Sequence, residues 1–379
     1  MEKTNQIKIT PWEIKGELLG VDYEKLITKF GTSPITDELL DRIKRFAKGD
    51  LHVLLRRKFF FSHRDLDFIL NEYERGNNFY LYTGRGPSGP VHLGHLLPWI
   101  LTKWLQDKFD VEVWFQMSDD EKFFVNPKLS LEEVQHWTIE NALDLIALGF
   151  DHHKTHILID TKNAKTMYPL AAKVAKHINF SLAKAVFGFK GTSNIGLIFY
   201  TAMQSVLAFL PSVLQGRNIP CLIPLGLDQD PHFRIARDVL PKLGFLKPAL
   251  IHCKFLVGLE KGGKMSASQP HTAIYTTDSE EEVREKIIKH AFSGGKATIK
   301  EHREKGGIPE IDVSYQWLQT YFEEDDKKLI EIYNDYKTGK LLTSELKEIL
   351  IEKINKFLKS HQKAREKARD SLDKFLYKD

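Results

Sequence analysis

The stretch "FYLYTGRGPSGPVHLGHLLPWILTKW", Phe79 to Trp104, decides how the chain is read. An aromatic and aliphatic run comes first, then a turn holding Gly84, Gly86, Gly89, Pro87 and Pro90, then His92 and His95, then an apolar pattern at helical spacing. Leu96, Leu97, Ile100, Leu101, Trp104 and Leu105 form one stripe, so the reading is strand, glycine turn, helix. Pro98 lacks an N–H and is expected to fall near the first helical turn, where no partner is lost. The glycines let the backbone approach a ligand closely. His92, Gly94 and His95 then stand at a helix start, where unpaired N–H groups and the dipole favour an anion. These residues alone leave two readings open: a phosphate site, or a tight turn beside two structural histidines. No "GK[ST]" follows, and the glycine spacing is not that of a dinucleotide fingerprint. No "HExxH" or Cys partner accompanies the histidines, so no metal is expected there.

Outward from this stretch, "VEVWFQM", "THILID", "CLIPLGL" and "PALIHCKFL" also read as strands, with helical patterns between them. That alternation implies an α/β protein with a mostly parallel, Rossmann-like sheet. From about Asp278 strand signals stop, and the chain reads as all-α to its end. The expected organisation is an N-terminal extension over 1–75, a sheet domain over 76–275 with a helical insertion at about 129–216, and a helical domain over 276–379. In the extension, "WEIKGELLGVDY" reads as a short hairpin, and Thr36 to Arg75 reads as helical, with Ser62 capping a helix that stops at Gly76.

The chain has 379 residues, 42% of them hydrophobic and 28% charged, so it can bury a sizeable core. No apolar run reaches the ~18 residues that a membrane span requires. The N-terminus has neither a secretory nor a transit pattern, and a cytoplasmic location with no membrane contact is expected. Cys221 and Cys253 are too few for a cysteine metal site and read as inert core thiols. The net charge is +4, and its distribution matters more: Lys353, Lys356, Lys359, Lys363, Arg365, Lys367 and Arg369 crowd one helical stretch, either a phosphate-contact face or an ordinary solvated one.

Ligands of open α/β sheets bind beyond the carboxyl ends of the strands. "TGRGPSG", "SDDEK", "GLDQDPHFR" and "EKGGKMSAS" each follow a strand reading. The last is a glycine-flanked loop with Lys264, Ser266 and Ser268, a cation and hydroxyls able to close over a triphosphate. Alone it would read as a surface loop.

"HLGH" followed far downstream by "KMSAS" resembles the paired signatures of class I aminoacyl-tRNA synthetases. "FYLYTGRGPSG", "QMSDDEK", "LDQDPHFR", "KPALIH", "HAFSGG" and "FFFSHRDL" are most similar to stretches of eukaryotic-type tryptophanyl-tRNA synthetases, from about Trp12 to the C-terminal helices. Leu93 stands where the first signature usually has Ile, and Ala267 where the second has Lys. The resemblance implies a ligase that joins ATP and tryptophan into an adenylate, then passes tryptophan to the terminal adenosine of tRNA(Trp). It implies catalytic roles for His92, His95, Lys264 and Ser266. It implies ATP contacts from Thr83, Gly84, Arg85, Gly94, Lys122, Asp228, Met265 and Ser268, with Mg2+ arriving as part of the ATP complex and no tightly bound cofactor. Tyr82 and Gln116 would meet the indole; Glu121, Gln204 and Gln229 would hold the amino and carboxylate groups. Tyr82 and Gln116 taken by themselves read equally well as half-buried strand residues. The helical domain would read the anticodon, and a homodimer would form through the insertion, whose "FGFKGTSNIGLIFYTAMQSVLAFLPSVL" is more apolar than one helix face needs.

Three alternatives remain at this stage. A tyrosyl enzyme shares both signatures, but its pocket needs partners for a phenolic hydroxyl, and glutamines and apolar residues stand here instead. A non-catalytic relative would tolerate loss of His92, His95, Lys264 and Ser266, which are intact. A simpler nucleotidylyltransferase lacks the second loop and the helical domain.

Overall fold

The computed structural model describes residues 8–9, 14–15, 21–263, 265 and 269–379. Nine strands are present among them. β1 (Lys8–Ile9) and β2 (Ile14–Lys15) form a two-residue antiparallel ladder. The expected hairpin therefore starts before Trp12, and helix Tyr23–Phe30 takes over the end of the quoted segment. The other seven are β3 (Ser33–Pro34), β4 (Phe60–Arg64), β5 (Tyr80–Arg85), β6 (Val113–Met117), β7 (Thr155–Ile159), β8 (Cys221–Gly226) and β9 (Ala249–Cys253). They make one sheet in the order β3-β4-β9-β8-β5-β6-β7.

The five strands from β9 to β7 pair in parallel, and β3 and β4 close one edge antiparallel. The chain winds from β5 through β6 to β7 on one side, then crosses back to β8 and β9 on the other. This creates a switch point at the carboxyl ends of β5 and β8, where an open α/β sheet binds its ligand. Side-chain alternation sends Leu81, Val113, Phe115 and Ile157 to one apolar core and Tyr80, Tyr82, Trp114 and Leu158 to the other. Helices cover both faces, as a parallel sheet requires.

β4 corrects the all-helical reading of Thr36 to Arg75. Ser62 is a strand residue and not a cap; the next helix, Leu66–Glu74, starts at Asp65 without a side-chain cap. Ser62 and Arg64 of β4 gave no apolar alternation, because their partners are polar and distant in sequence. Ser62 Oγ lies 3.0 Å from His252 Nδ1, His252 Nε2 lies 3.1 Å from Asp230 Oδ1, and the Arg64 guanidinium donates to both Asp230 oxygens at 2.8 and 3.0 Å.

The regular elements within 129–216 are helices apart from β7, which is an edge strand of the sheet. Beyond residue 276 the described elements are helical, and the longest, Thr343–Ala368, lies on helix Leu131–Ala147. His361 and Arg365 make that contact, with His361 Nε2 2.9 Å and Arg365 Nε 3.3 Å from Asp144 Oδ1, and Arg365 also pairs with Glu140. This corrects the reading of the basic run as one face: Arg365 is buried, Lys353 pairs with Glu323 at 2.9 Å, and Lys356, Lys359, Lys363 and Lys367 stay exposed. After the helix, Tyr377 N donates to Ile157 O at 2.9 Å, so the C-terminal residues shield the β7 edge. Both cysteines are buried free thiols. Among the described residues no helix is long and apolar enough to cross a membrane.

Candidate active site

β5 ends in Arg85, the glycine turn follows, and α1 (Leu93–Phe109) begins after His92. His92 N donates to His95 Nδ1 at 3.2 Å, and the two rings stack with centroids 3.4 Å apart. Leu93 is buried in the core, which explains why it replaces Ile without disturbance. Pro98, however, lies inside α1 and not in its first turn. The position expected to receive its missing N–H is the carbonyl of Gly94, four residues earlier. Gly94 itself lines the cavity. A Cβ there would come within 3.2 Å of the His92 ring and 3.6 Å of Met265 Sδ. The chain beyond the second loop returns to this helix start: Leu93 N donates to Ile274 O at 3.0 Å and Thr276 N to Val91 O at 3.0 Å. Lys264, Ser266 and Ser268 lie outside the described residues.

A cavity of about 310 Å³ opens at the switch point. Tyr82, Thr83, Gly84, Arg85, His92, Gly94 and His95 line it from β5 and α1. Gln116, Glu121 and Lys122 line it from β6 and α2 (Asp119–Val125), and Gln204, Asp228, Gln229 and Met265 complete the expected set. The structure thus brings together every described residue that the sequence assigned to catalysis, ATP or tryptophan. The volume suits a small-molecule site.

Cations gather on one side. Arg85 donates from Nε to Asn141 Oδ1 at 3.1 Å; burial lowers its pKa to about 10 while the charges of Glu121 and Asp144 oppose that, so it stays a cation at neutral pH. Lys122 Nζ sits 2.9 Å from Glu121 Oε1, and Ser118 Oγ donates to Glu121 Oε2 at 3.3 Å. Asp228 follows Gly226, where a Cβ would come within 2.6 Å of Asp228 Oδ1; glycine there lets the carboxylate fold back over the strand end.

The other side is a hydrogen-bond chain away from water. The Tyr82 hydroxyl donates to Gln116 Oε1 and lies 2.9 Å from Gln204 O, and Gln204 Nε2 donates to the Tyr82 oxygen at 2.6 Å. The Tyr200 hydroxyl donates to Gln204 Oε1. Phe233 packs edge-on against Tyr82 with centroids 5.5 Å apart. Burial, then the charge of Asp160, pushes the Tyr82 hydroxyl far above its usual range and keeps it neutral. Such a pocket is aromatic with a few fixed polar atoms, the kind that separates ligands by single hydrogen bonds.

Sequence reasoning passed over Tyr200, Phe233, Lys254 and Asp160. Asp160 had a usable signal, since it ends the strand run "THILID". Gln116 Nε2 donates to its two oxygens at 3.0 and 2.8 Å. As for metals, Asp151, His152 and His153 have ligand atoms within 4.8 Å of one another, but they are exposed and do not line the cavity.

Comparison with known proteins agrees with this geometry. The model of the class I tRNA synthetases (W and Y) matches residues 74–359. The chain is 52% identical over 370 residues to the tryptophan–tRNA ligase of Sulfolobus acidocaldarius, covering 97% of this chain and 95% of that one. It is 52% identical over 376 residues to that of Thermococcus onnurineus, covering 98% and 95%. Among solved structures, the tryptophanyl-tRNA synthetase from Giardia lamblia superposes with a TM-score of 0.87 at 40% identity, covering 94% of this chain and 96% of that one. The enzyme from Encephalitozoon cuniculi bound to tryptophan superposes with a TM-score of 0.87 at 36% identity, covering 95% and 98%. Signatures, sheet order, cavity and relatives converge: the chain belongs to the class I tRNA synthetases, in the tryptophan–tRNA ligase family.

Proposed function

We propose that the cavity binds ATP and L-tryptophan side by side and runs both steps of tRNA(Trp) charging. The tryptophan carboxylate attacks the α-phosphate of ATP, giving tryptophanyl-adenylate and pyrophosphate; the 2′-hydroxyl of the terminal adenosine of tRNA(Trp) then displaces AMP. One observation carries the choice of amino acid: the buried Tyr82–Gln116–Gln204 chain offers fixed acceptors beside the histidines of the α1 start. An indole has a single N–H donor on a large apolar body, and this side of the cavity fits it.

In this reading the ATP side works by alignment and charge stabilisation, with little covalent help. His92, His95, Arg85, Lys122, Lys264 and Ser266 stabilise negative charge on the phosphates, and Mg2+ enters as part of the ATP complex. Gly94, Thr83, Gly84, Met265 and Ser268 contact the nucleotide, and Asp228 accepts from the ribose hydroxyls. Glu121, Gln204 and Gln229 hold the amino and carboxylate groups.

The helical region over 276–379 would read the anticodon, with exposed Lys356, Lys359, Lys363 and Lys367 meeting phosphates. A homodimer would use the 129–216 stretch, where Tyr168, Phe180 and Ile195 are 58, 46 and 85% exposed. Work in the cytoplasm fits this role.

ATP–pyrophosphate exchange measured with each standard amino acid tests the reading. Tryptophan alone should drive fast exchange. Faster exchange with tyrosine, or none with any amino acid, would overturn it.

A further inference from the structure

Tyr82, Gln116 and Asp160 stand on one face of three neighbouring strands. Trp114 pairs with Tyr82 and Leu158 with Gln116, and two residues on from each lies the next member of the group, on the same face by alternation. The bonds from side chain to side chain that join them run one way, while the Gln204 carbonyl lies 2.9 Å from the Tyr82 hydroxyl. Tyr200 donates to Gln204, Gln204 to Tyr82 and Gln116, Tyr82 to Gln116, and Gln116 to Asp160. The last acceptor sets that direction. An amide has a donor end and an acceptor end of nearly the same shape, so nothing in Gln116 itself decides which end faces the cavity. Asp160 decides it, because a turned amide would set Oε1 against the Asp160 oxygens and leave a buried clash of acceptors.

Asp160 is 2% exposed and hydrogen-bonded to Asp120. Burial first, then the neighbouring carboxyls, holds Asp160 well above the usual carboxylate range; burial likewise brings Asp120 up to about 7. The pair therefore keeps a proton between them at neutral pH. Whichever carboxyl holds it, Asp160 retains an oxygen to accept from Gln116.

We propose that Asp160 is a positioning residue for amino-acid selection: by accepting from Gln116 Nε2 it keeps Gln116 Oε1 turned toward Tyr82 and Gln204 in the cavity wall, as an acceptor on which a ligand N–H can replace one of those two donors. The proposal rests on the reading of this pocket as the tryptophan site. Asp160 would touch no substrate atom.

The test compares tryptophan with its isostere 3-(benzothiophen-3-yl)alanine, in which sulfur replaces the N–H, in ATP–pyrophosphate exchange by the full chain. A site built around one hydrogen bond should prefer tryptophan on the order of 10²-fold in kcat/KM. In Asp160→Asn the new amide can donate or accept, and Gln116 is free to turn. The preference should fall below ~10-fold through loss with tryptophan, while kcat/KM for the isostere and KM for ATP stay within ~2-fold. Asp160→Ser, whose hydroxyl also works both ways, should act alike. In a Gln116→Met background, Asp160→Asn should leave the preference unmoved. A folded Asp160 variant that keeps the full preference overturns the proposal, as does circular dichroism showing that neither variant folds, which would make the residue structural. A wild-type protein without the preference would instead sink the pocket reading.

Discussion

The two sides of the cavity are built on opposite principles. On the side proposed for tryptophan, Tyr82, Gln116 and Asp160 are 0, 1 and 2% exposed and sit within or just past three adjacent strands. On the side proposed for ATP, Gly84 is exposed and Gly86, His95 and Lys122 are half-buried, carried by turns and helix starts. Choosing an amino acid needs a few polar atoms held still in a dry place, where an unmade hydrogen bond is expensive. Moving an adenylyl group needs charge and N–H donors that meet a highly charged ligand as it arrives. The division predicts that substitutions on each side act on different kinetic constants.

The largest effect falls on the ATP side. Lys264→Ala should slow ATP–pyrophosphate exchange by at least ~10²-fold, the scale of removing one donor aimed at transition-state charge. KM for tryptophan should stay within ~2-fold, since the lost interaction forms on the phosphates. An equal rise in that KM would break the comparison, because one loop would then serve both sides. A near wild-type rate would take Lys264 out of the chemistry.

Next comes the support under both sides. Asp230 follows Asp228 and Gln229 and is held by Arg64 and His252. Burial alone would raise its pKa, but the hydrogen bonds from His252 and Arg64 outweigh that and hold it below the usual range. Arg64→Met strands this carboxylate and should destabilise the fold by ~3 kcal/mol at pH 7. A depressed folded pKa contributes stability above the unfolded value of about 3.9 and loses it as pH falls through the folded value. The Tm gap between wild type and Arg64→Met should therefore be full at neutral pH and narrow below pH ~4. A gap that does not change with pH would mean that Arg64 acts by packing alone.

Gln116→Ala should act on the tryptophan side only. It leaves Asp160 and Tyr82 short of a partner, a loss of ~1–3 kcal/mol, or about 5- to 150-fold in kcat/KM for tryptophan. KM for ATP is the control and should not move. Unchanged selection against tyrosine, with unchanged KM, would return Gln116 to a structural part.

The contrast also explains what could be read from the sequence. The ATP side depends on adjacent residues, so "TGRGPSGPVHLGH" and "KMSAS" carried it as short words, and all five parallel strands were legible as apolar runs. The tryptophan side joins residues 82, 116 and 160, from three strands or their ends, to residues 200 and 204 of one helical turn. Tyr82 and Gln116 were reached through family likeness, and Asp160 was missed because the register between β6 and β7 is not written in either strand. β4 was missed for the same reason. Ser62 and Arg64 make sense as strand residues only beside His252 and Asp230, 190 and 166 residues away.

The smallest effect lies where the two sides touch. A Cβ on Gly86 would come within 2.0 Å of Lys122 Cε and 2.7 Å of Glu121 Oε2. Both contacts are ends of side chains and can move, so Gly86→Ala should fold normally. To make room, Lys122 has to swing off Glu121 and give up their 2.9 Å ion pair. That pair is partly screened by solvent, and its loss is worth at most ~1 kcal/mol, about fivefold. Lys122 is proposed to meet phosphate and Glu121 the α-amino group, so KM for ATP and KM for tryptophan should rise together, each by less than ~5-fold. A rise confined to ATP would show that Glu121 keeps its place without Lys122. The tryptophan side would then be rigid up to its border, and the boundary between the two sides would fall between residues 121 and 122.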